Sequence, residues 1–304
     1  MGDSFSRREF LKRAAAFGVT AAGLAELAGI DGPAEAAARP TIVVASKKDP
    51  ARLVRAAVNG LGGMGKFVKK GDVVLVKPNM GWARKADQAA TTNPEVVAEI
   101  VRLCRQAGAR EVKVMDHAVD RPDSLILRMC GIEEAAQKAG ARVSMASSAA
   151  LYEKVAFRKG KAVTSADVMR DLRRADVFIN VPIAKVHNST GLTLGLKNML
   201  GIVWDRGAFH SSSSLDQAIV DLAGQIRPRL TILDAVRILL TNGPKGPGRT
   251  EDRNLVVAGT DAVAIDAYGA SLFGMKASQI GHIRLAAAAG LGEIDLKRIN
   301  VRNV

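Results

Sequence analysis

Two lysines, a histidine and several hydroxyl and amide side chains lie close together in residues 185–201, which read KVHNSTGLTLGLKNMLG. Lys185 and His187 come first, and Lys197 and Asn198 follow a glycine-bearing loop. Ammonium groups and an imidazole around such a loop can bind an anion, and histidine can also move protons near neutral pH. This stretch therefore predicts an anion site. The alternative interpretation is a surface loop with ordinary solvated lysines.

The stretch follows an apolar run at residues 177–182, which predicts a buried strand. In open α/β sheets, ligand sites lie where strands end and loops lead into helices. We predict a helix after this strand, because Thr190, Thr193 and Lys197 recur at helical spacing on one face. A different face of this helix carries the apolar residues, which are Leu192, Leu196, Met199 and Val203.

Polar side chains also follow the other predicted strands. They are Lys77 and Asn79 after one strand, Asp116 and His117 after the next, and Asp234 after a strand that begins at Leu230. Because the carboxyl ends of parallel strands share one edge of a sheet, we expect these groups to converge with residues 185–201. Asn242 is expected to join them from an irregular loop, and Asp266 from a helix.

The predicted site combines proton-transfer groups with anion-binding groups. We predict catalytic roles for His187, Lys197 and Asp116, because an imidazole, an amine and a carboxylate can each exchange protons with a bound substrate. The predicted ligand-binding residues are the other members of the set: Lys77, Asn79, Lys185, Asn198, Asn242, Asp234 and Asp266. An alternative use of the carboxylates is a hard metal ion held by Asp116, Asp234 and Asp266.

Strand and helix patterns alternate along the chain from residue 39 to its end. This alternation predicts an α/β fold with a mainly parallel sheet flanked by helices, formed by a single domain over residues 39–304. A helix is expected at residues 123–139, and residues 125–175 are a candidate for a small inserted lobe. The glycine run at residues 60–65 spells GxGxxG, but it follows a helix and precedes a strand, so no dinucleotide site is predicted.

The chain is strongly basic, with a formal net charge of +14, so nucleic acids and anionic surfaces are candidate partners. The basic residues are scattered, however, and aromatic residues make up only 4% of the chain, which argues against nucleic-acid binding. No apolar run after residue 38 is long enough to span a bilayer. We therefore predict a small anionic ligand as the partner.

Cys104 and Cys130 are the only two cysteines of the chain. Two isolated cysteines cannot hold zinc or an iron–sulfur cluster alone, because these sites need about four ligands. Both cysteines lie in helical patterns, which favours buried free thiols over a disulfide. The cofactor is therefore unknown, and the chain has no iron–sulfur ligand set.

The first 38 residues have the pattern of an export signal. Residues 6–12 read SRREFLK, and a weakly apolar stretch follows at residues 14–30. Three alanines at residues 36–38 provide a small-residue cleavage site. We predict a twin-arginine signal peptide over residues 1–38. It implies the twin-arginine translocation machinery as a partner and delivery to the periplasm or the cell exterior.

Six segments occur in an ordered set along the chain. They are VKPN at residues 76–79, TNP at 92–94, PIAKVH at 182–187, GLTLGLKNMLG at 191–201, NGP at 242–244 and GTDAVAID at 259–266. Together they resemble the family called domain of unknown function 362. The resemblance covers nearly the whole chain after the signal and implies an α/β fold without a settled reaction. Many members look like iron–sulfur proteins, because they carry ferredoxin-type cysteine runs that this chain lacks.

The stretch from His187 to Lys197 is also similar, more distantly, to nickel-pincer lactate racemases. In those enzymes a strand-end histidine, a glycine-bearing loop and a lysine form the centre of the site. Two functions remain open from the sequence. The first is an exported enzyme that acts on a small carboxylate- or phosphate-bearing substrate, and the alternative is a non-catalytic periplasmic binding or accessory protein of a redox system.

Overall fold

The computed structural model describes residues 39–304, so the signal predicted for residues 1–38 lies outside the described residues. Pro40–Val304 form one compact unit. Its strands are β1 (Thr41–Ser46), β2 (Val73–Lys77), β3 (Glu111–Asp116), β4 (Arg142–Met145), β5 (Tyr152–Ala156), β6 (Ser165–Met169), β7 (Val177–Asn180), β8 (Ile183–His187), β9 (Gly191–Thr193), β10 (Leu230–Leu239), β11 (Thr250–Gly259) and β12 (Asn300–Asn303).

Ten of these strands form one sheet, whose main path runs in the order β12-β1-β11-β10-β7-β2-β3-β4. Neighbouring strands are parallel from β10 to β4 and between β12 and β1. They are antiparallel where β11 pairs with β1 and with β10. β8 pairs in parallel with β10, and β9 folds back on β8. The prediction of a mainly parallel sheet flanked by helices is confirmed.

Helices connect the strands and cover the sheet. They are α1 (Pro50–Gly60), α2 (Pro94–Gln106), α3 (Asp123–Cys130), α4 (Ile132–Lys138), α5 (Arg170–Arg174), α6 (Gly195–Asn198), α7 (Arg206–His210), α8 (Leu215–Gln225), α9 (Ala262–Ser271) and α10 (Gly281–Ala288). Helix α2 begins where the sequence indicates, because the Asn93 side chain accepts the Glu95 N–H at 2.9 Å and Pro94 occupies the first turn.

Side chains of the central strands alternate between two hydrophobic cores, one on each face of the sheet. Leu75 of β2 packs into the core that α8, α9 and α10 cover. Val74 and Val76, its neighbours on the same strand, pack into the core that α1 and α2 cover. Burial on both faces explains why these strands read as nearly continuous apolar runs in the sequence.

Residues 183–193 form a β-hairpin, so the long helix predicted after the buried strand is wrong. β8 pairs antiparallel with β9, which places Lys185 opposite Thr193. The turn between the strands is completed by Gly191, whose φ of 74° is a left-handed conformation that glycine adopts without strain. Helix α6 is a single turn and continues as a 3₁₀ turn at Met199–Ile202.

Three other boundaries differ from the prediction. β10 continues to Leu239 with an irregularity after Ala235, so Asp234 lies in the middle of a strand and not at its end. The predicted helix at residues 123–139 is split by Gly131, which has a φ of 70°. Within the candidate lobe at residues 125–175, β4 belongs to the main sheet, and β5 and β6 form a separate hairpin that packs against the main core.

Both cysteines have buried free thiols, as the sequence predicts. Burial raises the pKa of the Cys104 thiol to about 12, which makes it unreactive as a thiolate at neutral pH. Among residues 39–304, no helix is long and apolar enough to cross a membrane.

Candidate functional site

A cavity of about 550 Å³ opens at the carboxyl ends of β2, β3 and β8. Parallel pairing brings β2 and β3 together, and the hairpin of β8 and β9 adds a further wall. Eight of the ten predicted site residues line this cavity: Lys77, Asn79, Asp116, Lys185, His187, Lys197, Asn198 and Asn242. The two predicted residues that do not line it are Asp234 and Asp266.

A buried ion pair forms the floor of the cavity. Lys77 Nζ lies 2.8 Å from Asp116 Oδ1, and both side chains are almost fully buried. The carboxylate also accepts the N–H of Met80 at 2.7 Å and of His117 at 2.9 Å. Burial lowers the pKa of Lys77, and the charge of Asp116 opposes that shift. Because Asp116 already has a cation and two N–H donors, its charge is compensated within the protein.

Amide side chains connect this pair to the neighbouring strand ends. The Asn198 side-chain oxygen accepts from Lys77 Nζ at 3.2 Å and from Asn79 Nδ2 at 2.9 Å. Asn198 Nδ2 in turn donates to Asn180 Oδ1 at 2.8 Å. Lys185 Nζ donates to Asn79 Oδ1 at 3.2 Å and to the Ala90 carbonyl oxygen. The network fixes the lysines in place, since each amide has partners on two sides.

Lys197 differs from the other two lysines. Its side chain is only 8% exposed and lines the cavity, yet its amine makes no hydrogen bond or ion pair within residues 39–304. Burial, followed by the charge of Arg206, lowers the pKa of Lys197 to about 8. Burial also lowers the pKa of Lys185 to about 7. A substantial part of both amines is therefore neutral in the weakly alkaline range.

His187 and His117 line the same cavity but present different ring nitrogens. His187 Nδ1 accepts the Ser189 N–H at 3.1 Å, which places the ring proton on Nε2. Burial, together with the charges of Lys197 and Lys185, lowers the pKa of His187 to about 3. His187 is therefore neutral at pH 7 and acts as a hydrogen-bond donor through Nε2.

Sequence reasoning places His117 at a strand end but assigns it no role in the site. Its Nδ1 lies 3.0 Å from the carbonyl oxygen of Val203, which can only accept, so Nδ1 is the donor and Nε2 carries a lone pair. The ring stacks on Trp204 with centroids 5.1 Å apart and an interplanar angle of 5°. Burial lowers the pKa of His117, so the neutral ring offers a proton acceptor beside Asp116. A histidine directly after a strand-end aspartate was the available sequence signal.

Arg206 is a second cavity residue that sequence reasoning missed. It lies at the start of α7 and donates from Nη1 to the carbonyl oxygen of His117 at 3.0 Å and from Nη2 to that of Ala118. These contacts hold the guanidinium against the cavity wall. Burial lowers the pKa of Arg206, but guanidinium remains charged at any pH of interest. No local motif marks this arginine in the sequence.

The loops after β2, β3 and β10 form the rim of the cavity. Lys245 Nζ lies 2.8 Å from Asp120 Oδ1 and 5.7 Å from the centre of the Trp82 ring. Arg84 Nε donates to the Lys245 carbonyl oxygen at 3.2 Å, which joins the loop after β2 to the loop after β10. Asn242 is an exposed member of the rim, and its side-chain nitrogen donates to the Pro247 carbonyl oxygen at 3.1 Å.

Asp234 and Asp266 hold backbone segments instead of lining the cavity. Asp234 accepts the Asn93 N–H at 2.7 Å, and burial raises its pKa to about 6. Asp266 accepts the N–H groups of Gly195 at 2.6 Å and Leu196 at 2.9 Å, and burial raises its pKa to about 7. Asp266 thereby positions the turn that carries Lys197.

The metal alternative needs three carboxylates in one place, and the structure separates them. Asp116 lies at the cavity floor, whereas Asp234 and Asp266 are each used by backbone amides elsewhere. Within residues 39–304, no group of three or more histidine, cysteine, aspartate or glutamate residues is arranged to hold a metal ion.

Gly201 has no side chain, so the Lys77–Asp116 ion pair can lie directly against the backbone at this position. We expect replacement of Gly201 with alanine to be destabilising. A Cβ atom at this position would press directly on Asp116 Oδ1 and lie 2.6 Å from Lys77 Nζ. We expect Gly201→Ala to lower the free energy of unfolding by about 1–3 kcal/mol, because both buried groups must shift. Chemical denaturation measures this change.

Gly65→Ala is the matched control, since a Cβ there would meet no atom within 4 Å. We expect this control to leave the denaturation midpoint nearly unchanged. Equal midpoints for the two variants would contradict the close approach at Gly201.

Comparisons with known proteins show what this chain is similar to. The family described as "Domain of unknown function (DUF362)" matches residues 74–271. The Thylakoid-associated protein sll1697 of Synechocystis sp. (strain ATCC 27184 / PCC 6803 / Kazusa) is 32% identical over 226 residues. That alignment covers 70% of this chain and 66% of the relative, so the chain spans slightly less than two thirds of the relative's length.

Two solved structures are also similar. The lactate racemase apoprotein from Thermoanaerobacterium thermosaccharolyticum has a TM-score of 0.49 and 12% identity, covering 80% of this chain and 58% of that one. A Thermotoga maritima protein has a TM-score of 0.43 and 12% identity, covering 79% of this chain and 60% of that one. This chain therefore spans less than two thirds of either structure.

Proposed function

This chain belongs to the family described as domain of unknown function 362, and we propose that it is an enzyme for a small carboxylate- or phosphate-bearing substrate. The observation that carries the proposal is an excess of positive charge in the cavity. Lys185, Lys197 and Arg206 line it, and none of the three has an ion-pair partner in the described part of the chain. The single carboxylate among the lining residues, Asp116, is neutralised by Lys77.

Uncompensated buried cations are costly unless an anion joins them. The cavity provides that position, because its lining includes charged and neutral donors: ammonium, guanidinium, and the Nε2–H of His187. Carboxylates and phosphates are acceptors with one or two negative charges, and both match this donor set. We therefore assign Lys185, Lys197, Arg206 and His187 to anion binding.

Two groups can move a proton to or from the bound anion. His117 Nε2 has a lone pair at the cavity wall, and Lys197 has a neutral fraction because its pKa is lowered to about 8. General acid–base catalysis is most efficient when the pKa of the group lies near the working pH. We propose His117 and Lys197 as the proton-transfer groups, with Asp116 fixing the backbone N–H of His117.

The affinity for anions is expected to fall with increasing pH. Oxalate and sulfate keep a constant charge between about pH 6 and pH 9, since their acidic groups ionise well below this range. The pKa of Lys185 is lowered to about 7 and that of Lys197 to about 8. Both lysines therefore lose their charge as the pH rises through these values. We expect the dissociation constants to increase at least about tenfold from pH 6.5 to pH 9 in titration calorimetry.

Lys197→Arg is the matched variant, because guanidinium stays charged throughout this range. The charged or titratable groups that interact with Lys197 are Arg206, Asp216, Lys185, His187 and His210. We expect this variant to show a shallower pH dependence. Affinity that does not change with pH would contradict the proposed role of the lysines, and absence of any binding would contradict the proposed site. Comparing oxalate with sulfate indicates whether carboxylates or tetrahedral anions fit better.

Export by the twin-arginine route remains a proposal and has its own test. Arg7 and Arg8 are the paired arginines of the predicted signal. We expect their joint replacement with lysine to retain the protein in the cytoplasm, which cell fractionation of the full chain measures. Lys47→Arg and Lys48→Arg together are the control, since they lie beyond the predicted signal and are exposed. Unchanged delivery of the Arg7 and Arg8 variant would contradict the proposal.

A further inference from the structure

The three buried lysines of the cavity have different environments. Lys77 Nζ has the carboxylate of Asp116 and two further acceptors. Lys185 Nζ has the Ala90 carbonyl oxygen and Asn79 Oδ1. Lys197 is more than nine-tenths buried and lines the cavity, and its amine has no acceptor within residues 39–304. Its lone pair, once the amine is neutral, is therefore free to react with a molecule in the cavity.

We infer that Lys197 forms an imine with the oxo carbon of a 2-oxo acid bound in this cavity. The inference rests on the proposed function, because it names the substrate class of the same site. Arg206 and Lys185 are the cations without a carboxylate partner on the surrounding walls, and they are suited to the acid's carboxylate. The carboxylate and the oxo carbon are adjacent in a 2-oxo acid, so both ends can be engaged in one small cavity.

The reaction is balanced without an added oxidant or reductant. The neutral amine of Lys197 attacks the oxo carbon, a C–N bond forms, and the carbonyl oxygen takes a proton to give a carbinolamine. Loss of the hydroxyl group as water, with the nitrogen giving up its remaining proton, leaves the C=N bond. His117 Nε2 lines the same cavity and can accept and return these protons.

The local electrostatics favour a nucleophilic amine. Lysines become nucleophiles when burial or a neighbouring cation increases their neutral fraction. Lys197 has both features, since burial and the charge of Arg206 lower its pKa to about 8. Compared with an ordinary lysine of pKa about 10.4, the neutral fraction near pH 7.5 is roughly 10²-fold larger. Asp266 accepts two backbone N–H groups of the turn that carries Lys197. The amine therefore extends from a backbone segment that is fixed by hydrogen bonds.

Reductive trapping of the full chain tests the inference. The protein is incubated with pyruvate and cyanoborohydride at about pH 7.5, and modified lysines are identified by peptide mass spectrometry. We expect Lys197 to be modified at least about tenfold faster than the exposed Lys154, with Lys185 unmodified. Excess oxalate is expected to suppress the modification of Lys197. The same experiment is repeated with Lys197→Arg, because this variant keeps the positive charge but cannot form the imine.

The outcomes separate this inference from the proposed function. Modification of Lys197 that oxalate suppresses in the wild type, and that disappears in Lys197→Arg without appearing at another cavity lysine, supports the inference. If oxalate binds the protein but pyruvate modifies only exposed lysines or none, the inference is overturned and the anion site stands. If neither oxalate nor sulfate binds and Lys197 is not modified, both the inference and the proposed function are wrong.

Discussion

Replacing Lys197 with methionine is expected to weaken oxalate binding by roughly tenfold to 10²-fold. A hydrogen bond to a charged partner contributes about 1.5–3 kcal/mol, and tenfold in affinity corresponds to about 1.4 kcal/mol. The amine lines the cavity and has no partner among residues 39–304, so an anion would gain this interaction without breaking another within them. Methionine retains much of the side-chain length and apolar volume, which limits the change to the loss of the ammonium group.

Lys48→Met is the matched control for this prediction. It removes the same charge from the chain, but Lys48 is exposed and lies outside the cavity. We expect titration calorimetry near pH 6.5 to give the same dissociation constant for Lys48→Met as for the wild type. If both variants weakened oxalate binding equally, the net charge of the protein and not the cavity would account for the affinity.

Replacing Lys77 with methionine is expected to lower the free energy of unfolding by about 3–5 kcal/mol. Lys77 and Asp116 are both nearly fully buried, with their charged atoms 2.8 Å apart. Removing one partner of a buried pair leaves the other charge uncompensated, which costs far more than the pair itself contributes. Lys77 Nζ also donates to the Pro78 carbonyl oxygen at 2.7 Å, and this bond is lost as well. The shift in the denaturation midpoint measures the loss.

The double variant Lys77→Met with Asp116→Asn separates charge from packing. Neutralising the carboxylate removes the unpaired charge, so we expect about 2 kcal/mol of the stability to return. The recovery is partial, because asparagine has one side-chain oxygen for the two N–H groups of Met80 and His117. A double variant that is less stable than Lys77→Met alone would show that the uncompensated charge is not the source of the loss.

The convergence of polar groups could be predicted because it depends on strand ends. Lys77 and Asp116 follow apolar runs that parallel pairing places side by side, so both reach one edge of the sheet. Asp234 shows the limit of this reasoning. Its strand continues for five residues beyond the aspartate, and the apolar residues after it gave no signal for which way the carboxylate would face.

The groups that determine the proposed chemistry could not be read from local sequence. Arg206 enters the cavity because α7 follows an irregular segment, and its contacts are with carbonyl groups almost 90 positions earlier. The different roles of His187 and His117 depend on which backbone group meets Nδ1, and that is set by the tertiary structure. The helical spacing of Thr193 and Lys197 was coincidental, since Thr193 lies in β9 of the hairpin and Lys197 in the single turn of α6. Both residues line the cavity.

The location of a bound anion tests the central claim most directly. Crystals grown with selenate, the heavier analogue of sulfate, would locate the anion by its anomalous scattering at a concentration near the dissociation constant of sulfate. We predict a selenium peak inside the cavity, within hydrogen-bond distance of the Lys197 amine or the Arg206 guanidinium. Selenium peaks that occur only on the protein exterior, with none in the cavity, would contradict the claim that this cavity binds small anions.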